Sequence, residues 1–234
     1  MSSTLNEMGY TRTKADHTVF VCPSPDITPD IITLYVDDMG QISESLERIL
    51  QDKAKLSKHY QMTDLGEVSW ILGIRVDCNR EKGTIALSQG NFIKEILECY
   101  GMSDSHLIST PALTNEHLVK LELPEISAKS YQRALGTLIY PMLGTHPDLS
   151  YTIATLGHHA ANPGLDHQRA LECVFHYLRA TNGKQLVFGQ GASSGSTLFG
   201  YADADWASDV NDRKSTSGYI FKLAGAAVSW SSKK

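Results

Sequence analysis

The chain has 234 residues, of which 41% are hydrophobic and 20% charged, so it can bury one large core or two small ones and is not typical of a disordered protein. Its formal net charge of −5 argues against an evenly basic surface of the kind that grips phosphate backbones, although a local basic patch is compatible with it. The sequence contains no run of about 18 apolar residues and no leader-like start, so we expect an intracellular protein, cytoplasmic or nuclear, without a membrane segment.

The first part of the chain alternates β-rich and helical patterns. Residues 18–22 and 30–36 are predicted strands, separated by a proline-bearing segment at residues 23–29. Ser43 precedes residues 44–56, in which leucine and isoleucine recur close to helical spacing. We therefore predict an amphipathic helix with Ser43 as its N-cap.

A second β-rich stretch follows this helix. Strands are predicted at residues 68–76 and 84–87, on either side of a turn at residues 80–83. A short helical pattern then covers residues 92–100. We predict that this helix ends at Gly101, since glycine readily adopts the left-handed conformation that closes a helix.

Residues 103–127 have no clear period and contain two prolines, which favours a linker or an extended crossover. Helical patterns resume at residues 130–142, 147–160 and 166–179. The glycine-rich residues 189–195 favour a loop. Three further strands are predicted after it, at residues 197–202, 217–223 and 226–231.

The strongest chemical signal is Tyr35-Val36-Asp37-Asp38, which places two adjacent carboxylates at the end of a β-rich run. Four letters alone do not identify a site, because strands often run into acidic turns. Paired carboxylates on a turn also provide the oxygen ligands that Mg²⁺ prefers and that two-metal phosphoryl transfer requires. The sequence therefore offers Asp37 and Asp38 as candidate metal ligands.

The order of motifs along nearly the whole chain resembles the reverse transcriptases of copia-type retrotransposon polyproteins. No single motif is as specific as the ordered series. The motifs are, in chain order, Lys14-Ala15-Asp16, Tyr35-Val36-Asp37-Asp38, Met62-Thr63-Asp64-Leu65-Gly66-Glu67, Trp70-Ile71-Leu72-Gly73-Ile74, Leu87-Ser88-Gln89, Ser109-Thr110-Pro111, Tyr131 to Tyr140, His146-Pro147-Asp148, Tyr177-Leu178-Arg179-Ala180-Thr181, Gly200 to Ala207 and Arg213 to Tyr219.

The resemblance implies an α+β fold with three regions. Residues 1–110 would be a partial palm and thumb, residues 111–190 a helical connection region, and residues 191–234 the three-stranded antiparallel start of a ribonuclease H-like domain. It also implies that the chain is truncated at both ends. The upstream third aspartate of the polymerase site and the later glutamate of ribonuclease H would then lie outside it.

The resemblance further implies a role for individual carboxylates. Asp37, Asp38 and Asp203 would be catalytic and metal-binding, and Asp205 would be a weaker metal ligand, with Mg²⁺ as the cofactor. Period-two alternation along a strand would place Asp205 on the same face as Asp203.

Nucleic-acid contacts are implied at five positions. Tyr35 would sit beside the primer terminus, and Leu72 and Gly73 would belong to the hairpin that positions the primer strand. Gln89 and Lys94 would lie in the thumb-like segment that follows.

By descent, the implied function is that of an RNA-directed DNA polymerase with ribonuclease H, acting on an RNA–DNA hybrid or primer–template together with polyprotein segments upstream and downstream. We expect the 234 residues to be inactive by themselves. Two alternatives remain open, a non-catalytic nucleic-acid-binding remnant and an inert transposon relic. Salt-sensitive affinity for a hybrid would support the first of them.

The cysteines, tryptophans, histidines and last strands allow further structural expectations. The four cysteines lie far apart without a C-x-x-C pair, which indicates free thiols. Trp70 and Trp206 are expected in the core, because large aromatic side chains are usually buried. His158 and His159 lack a third ligand at helical spacing, so we do not expect a metal site there. Residues 197–231 are expected to form a sheet with an uncovered face.

Overall fold

A computed structural model describes residues 1–23, 28–112, 118–189, 197–206 and 213–234. The predicted segments at residues 23–29, 103–127 and 189–195 therefore lie partly outside the described residues. Helices and strands both contribute, which confirms the α+β class. The chain divides into two compact units, Met1–Ile71 and Leu72–Lys234. The predicted boundaries at residues 110 and 190 refer to family regions rather than to compact units and stay predictions.

The first unit contains a four-stranded antiparallel sheet in which each strand pairs with the next in the chain. Phe20 faces Ile32 across the two central strands, and both side chains are fully buried with Leu5 and Leu56. The elements are α1 (Ser2–Glu7), β1 (Thr11–Arg12), β2 (Val19–Cys22), β3 (Asp30–Tyr35), β4 (Asp38–Ile42), α2 (Leu46–His59) and β5 (Trp70–Ile71).

The N-terminus of α2 corrects one prediction. The Ser45 hydroxyl accepts a hydrogen bond from the Arg48 backbone N–H at 3.2 Å and is therefore the N-cap. Ser43 is not the cap, because its hydroxyl instead accepts from the Ser45 N–H at 3.0 Å. A cap is defined by which side chain reaches the third helical N–H, and two nearby serines make that choice ambiguous in a sequence.

In the described part of the second unit, four α-helices supply most of the buried core. Leu138, Val174 and Leu178 are fully buried there. The elements are β6 (Ile74–Asn79), β7 (Thr84–Ser88), α3 (Gly90–Cys99), α4 (Ala128–Gly144), a 3-10 helix (Pro147–Leu149), α5 (Ser150–Gly157), α6 (Leu165–Thr181), β8 (Leu186–Phe188), β9 (Phe199–Ala204), β10 (Ser217–Leu223) and β11 (Ala226–Lys233). The helix predicted at residues 147–160 is thus a 3-10 turn followed by α5. Within the described ranges, no helix has the length and apolar character needed to cross a membrane.

The last three strands form an antiparallel sheet, as predicted, and the structure gives their order as β11, β10, β9. The expectation of an uncovered sheet is wrong for β11. Its first residues, Ala226 and Ala227, are buried, and the Trp230 indole donates a hydrogen bond to the Met142 carbonyl of α4 at 3.0 Å. All six residues of β9, by contrast, are exposed.

This difference predicts uneven protection along the sheet. In the described part of the chain β9 pairs only with β10, so half of its backbone groups lie on an open edge. We expect its edge amides to exchange at least about tenfold faster than those of β11, because local opening there disrupts few buried contacts. Hydrogen exchange measured by mass spectrometry checks this. Equal protection of the two strands would show that another segment covers β9.

Candidate active-site turn and nucleic-acid-binding residues

Asp37 and Asp38 lie at the tight connection between β3 and β4. Tyr35 pairs directly with Asp38, so the turn consists of Val36 and Asp37 alone. Val36 has φ +51°, whereas the φ of Asp37 is not positive. This is the φ pattern of a type II′ turn, in which glycine normally occupies the first central position. A β-branched residue in this conformation stores about 1–3 kcal/mol of backbone strain.

The turn projects into solvent. The side chain of Val36 is 90% exposed and that of Tyr35 is 57% exposed. Asp37 and Asp38 are exposed as well, so both carboxylates are open to a ligand. The hairpin therefore presents two adjacent negative charges and an aromatic ring on a short, backbone-constrained loop.

The two carboxylates at this turn are the type of ligand that Mg²⁺ binds, but they are too few to complete its shell. Carboxylate oxygens are the ligands this ion prefers, yet its octahedral shell needs further oxygens. Among the residues that the structure describes, no group of three or more His, Cys, Asp or Glu could hold a metal ion. Asp37 and Asp38 can therefore serve as part of a divalent-metal site and do not form a complete one.

Leu72 and Gly73 form a second tight turn, between β5 and β6. Both have positive φ, +52° and +74°, which is the pattern of a type I′ turn. The Tyr140 hydroxyl of α4 donates a hydrogen bond to the Leu72 carbonyl. A Cβ atom at Gly73 would lie 3.1 Å from the Tyr140 hydroxyl, so glycine leaves room for this contact. No local pattern linked Tyr140 to this turn, because Tyr140 lies 68 residues beyond Leu72.

Gln89 and Lys94 differ in accessibility. Lys94 is exposed on α3. Gln89 is only 1% exposed, and both ends of its amide are used internally. Its nitrogen donates to the Tyr140 carbonyl at 3.3 Å, and its oxygen accepts from the Thr145 hydroxyl at 2.9 Å. This placement favours a packing role for Gln89 over the predicted nucleic-acid contact.

Asp203 and Asp205 lie at the end of β9. Asp203 is exposed opposite Gly218, and its carboxylate accepts from the Ala204 N–H at 2.9 Å. The Asp205 N–H donates to the Thr216 carbonyl at 3.0 Å, which extends the pairing with β10. Asp203 belongs to β9 and Asp205 lies just beyond it, so the placement of both carboxylates on one face stays a prediction.

The two tryptophans expected in the core are exposed. Trp70 is 50% exposed on the two-residue strand β5, and Trp206 is 92% exposed just beyond β9. Trp70 lies on an edge strand of its sheet, and Trp206 lies two residues beyond the end of β9. His159 stacks on His167 with ring centroids 4.1 Å apart, while His158 is exposed. The two consecutive histidines therefore lie in different environments.

Comparison with known proteins places these features in a family. The family model described as reverse transcriptase (RNA-dependent DNA polymerase) matches residues 1–114. The chain is 34% identical to the retrovirus-related Pol polyprotein from transposon TNT 1-94 of Nicotiana tabacum, over 99% of the chain and 18% of that protein. It is 29% identical to the transposon Ty5-1 protein of Saccharomyces cerevisiae, over 100% of the chain and 75% of that protein. No solved structure gives a significant match.

A further relative is the retrovirus-related Pol polyprotein from transposon RE2 of Arabidopsis thaliana, which is 31% identical over 86% of the chain. The chain spans only 18% and 14% of the tobacco and Arabidopsis polyproteins. The tobacco and yeast matches nevertheless run through both compact units, well past the residues covered by the family model. The chain therefore belongs to the reverse transcriptases of copia-type retrotransposon polyproteins.

Proposed function

We propose that the chain contributes a metal-binding carboxylate turn and primer-contacting residues to an RNA-directed DNA polymerase. The observation that carries this proposal is the β3–β4 turn, where Asp37 in the two-residue loop and Asp38 at the start of β4 are adjacent and exposed. A surface acidic turn without function gains nothing from a strained Val36, whereas strain of this kind concentrates at functional sites.

Reverse transcriptases generally use a divalent metal, and Asp37 and Asp38 would hold Mg²⁺ together with ligands from other parts of the polymerase and its substrates. The bound ion would supply charge stabilisation for phosphoryl transfer. The chain's own contribution is to keep two carboxylates next to each other and open to solvent. Tyr35 lies opposite Asp38 on the hairpin, so its exposed ring is available beside a primer terminus.

Nucleic acid would be held by other exposed groups of the second unit. Leu72 and Gly73 present the backbone of a tight turn, and Lys94 presents a positive charge on α3. Such groups suit the phosphates of an RNA–DNA hybrid or primer–template, because most contacts to a duplex involve its backbone. Gln89 is not part of this proposal, since its amide is buried and occupied.

Asp203 is the residue we propose as the first carboxylate of a ribonuclease H-like site, with Asp205 as a weaker ligand. The antiparallel sheet of β9 to β11 and the exposure of the two carboxylates support this proposal. Completion of such a site requires acidic side chains that the described residues do not bring together.

We expect no primer extension by the 234 residues alone. Asp37 and Asp38 do not complete the ligand shell of Mg²⁺ by themselves, so we expect weak metal binding. Without a well-held metal, the primer and nucleotide are not aligned for phosphoryl transfer. The assay is extension of a DNA primer on an RNA template with Mg²⁺ or Mn²⁺. Extension that disappears in Asp37→Asn would contradict this expectation.

Metal binding at the turn is tested separately, with Mn²⁺ as the probe. In the presence of a primer–template, Mn²⁺ should broaden the NMR signals of residues 35–39, and the broadening should be lost in Asp37→Asn with Asp38→Asn. Asp166→Asn, which changes an exposed carboxylate on α6, is the control. Hybrid binding without broadening at the turn would instead support a non-catalytic nucleic-acid-binding remnant. If the chain shows no hybrid binding and no broadening at the turn, the result would support an inert relic.

A further inference from the structure

Tyr140 joins three parts of the second unit. It lies on α4, its hydroxyl donates to the Leu72 carbonyl, and its ring meets Phe92 of α3 edge-on. The centroids of the two rings are 4.8 Å apart and their planes are at 84°. The ring is half-buried, so its orientation is fixed by packing while the hydroxyl reaches the turn.

The Leu72–Gly73 turn has unfavourable local chemistry for its shape. Type I′ turns favour asparagine followed by glycine, because both central residues need positive φ. Here leucine occupies the first position at φ +52°. Leucine has no polar side chain that could bond the nearby backbone and offset this conformation. The hydrogen bond from Tyr140 is therefore a contact that selects this conformation from outside the turn.

Fixing the Leu72 carbonyl also fixes the next N–H. The described part of the chain contains no cis peptide bond, and in a trans peptide the C=O and N–H point in opposite directions. Because the Leu72 carbonyl points at Tyr140, the Gly73 N–H points away from α4. Both turn residues are exposed, and a Cβ atom at Gly73 would lie on the Tyr140 side, away from this donor.

We infer that Tyr140 is a positioning residue, whose hydroxyl orients the Leu72–Gly73 peptide so that the Gly73 N–H binds a phosphate of the nucleic-acid strand. This inference rests on the proposed nucleic-acid function of the turn. The hydroxyl does not touch the phosphate. It acts by holding the Gly73 N–H, which is a neutral donor. The contact between this N–H and the phosphate therefore depends on orientation and not on the net charge of the chain.

The test compares Tyr140→Phe with a matched control, Tyr100→Phe. Tyr100 also pairs its ring with a phenylalanine, Phe175, at 4.9 Å, and its hydroxyl is 3.1 Å from the Thr137 hydroxyl on the same helix α4. Each substitution therefore removes one hydroxyl and keeps one ring pair. Of the two hydroxyls, that of Tyr140 bonds to the Leu72–Gly73 turn and that of Tyr100 bonds to Thr137.

Binding of a fluorescently labelled RNA–DNA hybrid to the 234-residue chain is measured by anisotropy over a series of salt concentrations. Tyr140→Phe should raise the Kd about threefold to tenfold, the range expected for one lost hydrogen bond. The slope of log K against log salt should not change, because no cation is removed. Lys94→Gln, in contrast, should reduce the magnitude of that slope by about 1, because it removes one positive charge. Thermal unfolding should shift equally in the two tyrosine variants.

The outcomes separate this inference from the proposed function. If the unsubstituted chain binds the hybrid and Tyr140→Phe binds as tightly, the inference is overturned and the proposed function stands. An equal loss of affinity in Tyr100→Phe overturns it too, because both effects would then be those of general destabilisation. If the unsubstituted chain does not bind the hybrid, the proposed function fails and the inference fails with it.

Discussion

Replacing Arg48 by methionine is expected to lower the free energy of unfolding by about 2–4 kcal/mol, somewhat less than for a fully buried pair because Arg48 is partly exposed. Asp52 is fully buried, and its Oδ2 lies 3.1 Å from the Arg48 Nε. The same guanidinium lies 3.6 Å from Asp30. Tyr10 donates to Asp52 at 2.7 Å, and burial followed by this hydrogen bond raises the Tyr10 pKa.

Methionine keeps most of the aliphatic volume of Arg48 and removes its charge. The decrease in the free energy of unfolding would therefore measure the cost of leaving the buried Asp52 carboxylate without a cation. The matched control is Arg169→Met. The Arg169–Asp166 pair has a similar N–O distance of 3.1 Å, but both side chains are more than 70% exposed. We expect the control to stay within about 0.5 kcal/mol of the unsubstituted chain. Urea unfolding followed by circular dichroism gives both values, and equal effects would refute the assignment of Arg48.

Gly189→Ala should destabilise the second unit by about 2–4 kcal/mol. Gly189 has φ +90°, which L side chains rarely adopt. A Cβ atom there would overlap the carbonyl oxygen of Gly83, a backbone atom that cannot turn aside like a side chain. The Gly189 N–H also donates to the Ala224 carbonyl at 2.7 Å, so a shift of Gly189 would strain the β10–β11 turn.

The control for this substitution is Gly183→Ala. A Cβ atom at Gly183 would meet nothing within 4 Å, and the φ of this residue is not positive. We expect this variant to unfold at the same denaturant concentration as the unsubstituted chain or slightly above it. If Gly189→Ala behaved in the same way, the close approach to Gly83 would not exist in solution.

Sequence patterns predicted the long elements well and the short ones poorly. The strand predicted at residues 217–223 is β10 over the same residues, because its β-rich composition is bounded by clear breaks. The short α1, β1 and β8 were not predicted. β4 was missed as well, since Asp38 and Gly40 are unfavourable strand residues. The strands among these elements depend on pairing with distant segments, as when Leu186 of β8 pairs with Leu87 of β7.

At the candidate site too, local sequence patterns predicted some features, whereas others depend on contacts between distant residues. A local motif was enough to place Asp37 and Asp38 on a turn, because the signal lies in four consecutive residues. The burial of Gln89 depends on Thr145, which is 56 residues away, so no local pattern reveals it. Trp206 was expected in the core because large aromatic side chains are usually buried, whereas it is exposed just beyond the end of β9.

The positive φ of Val36 carries a consequence for engineering. Glycine or asparagine at this position would relieve the strain, so a stability-guided redesign of the chain would select one of them. Glycine would also widen the range of conformations open to Asp37 and weaken the fixed spacing of the two carboxylates. A derivative selected only for a higher melting temperature would therefore lose rigidity at the β3–β4 turn, where the proposed metal site depends on it.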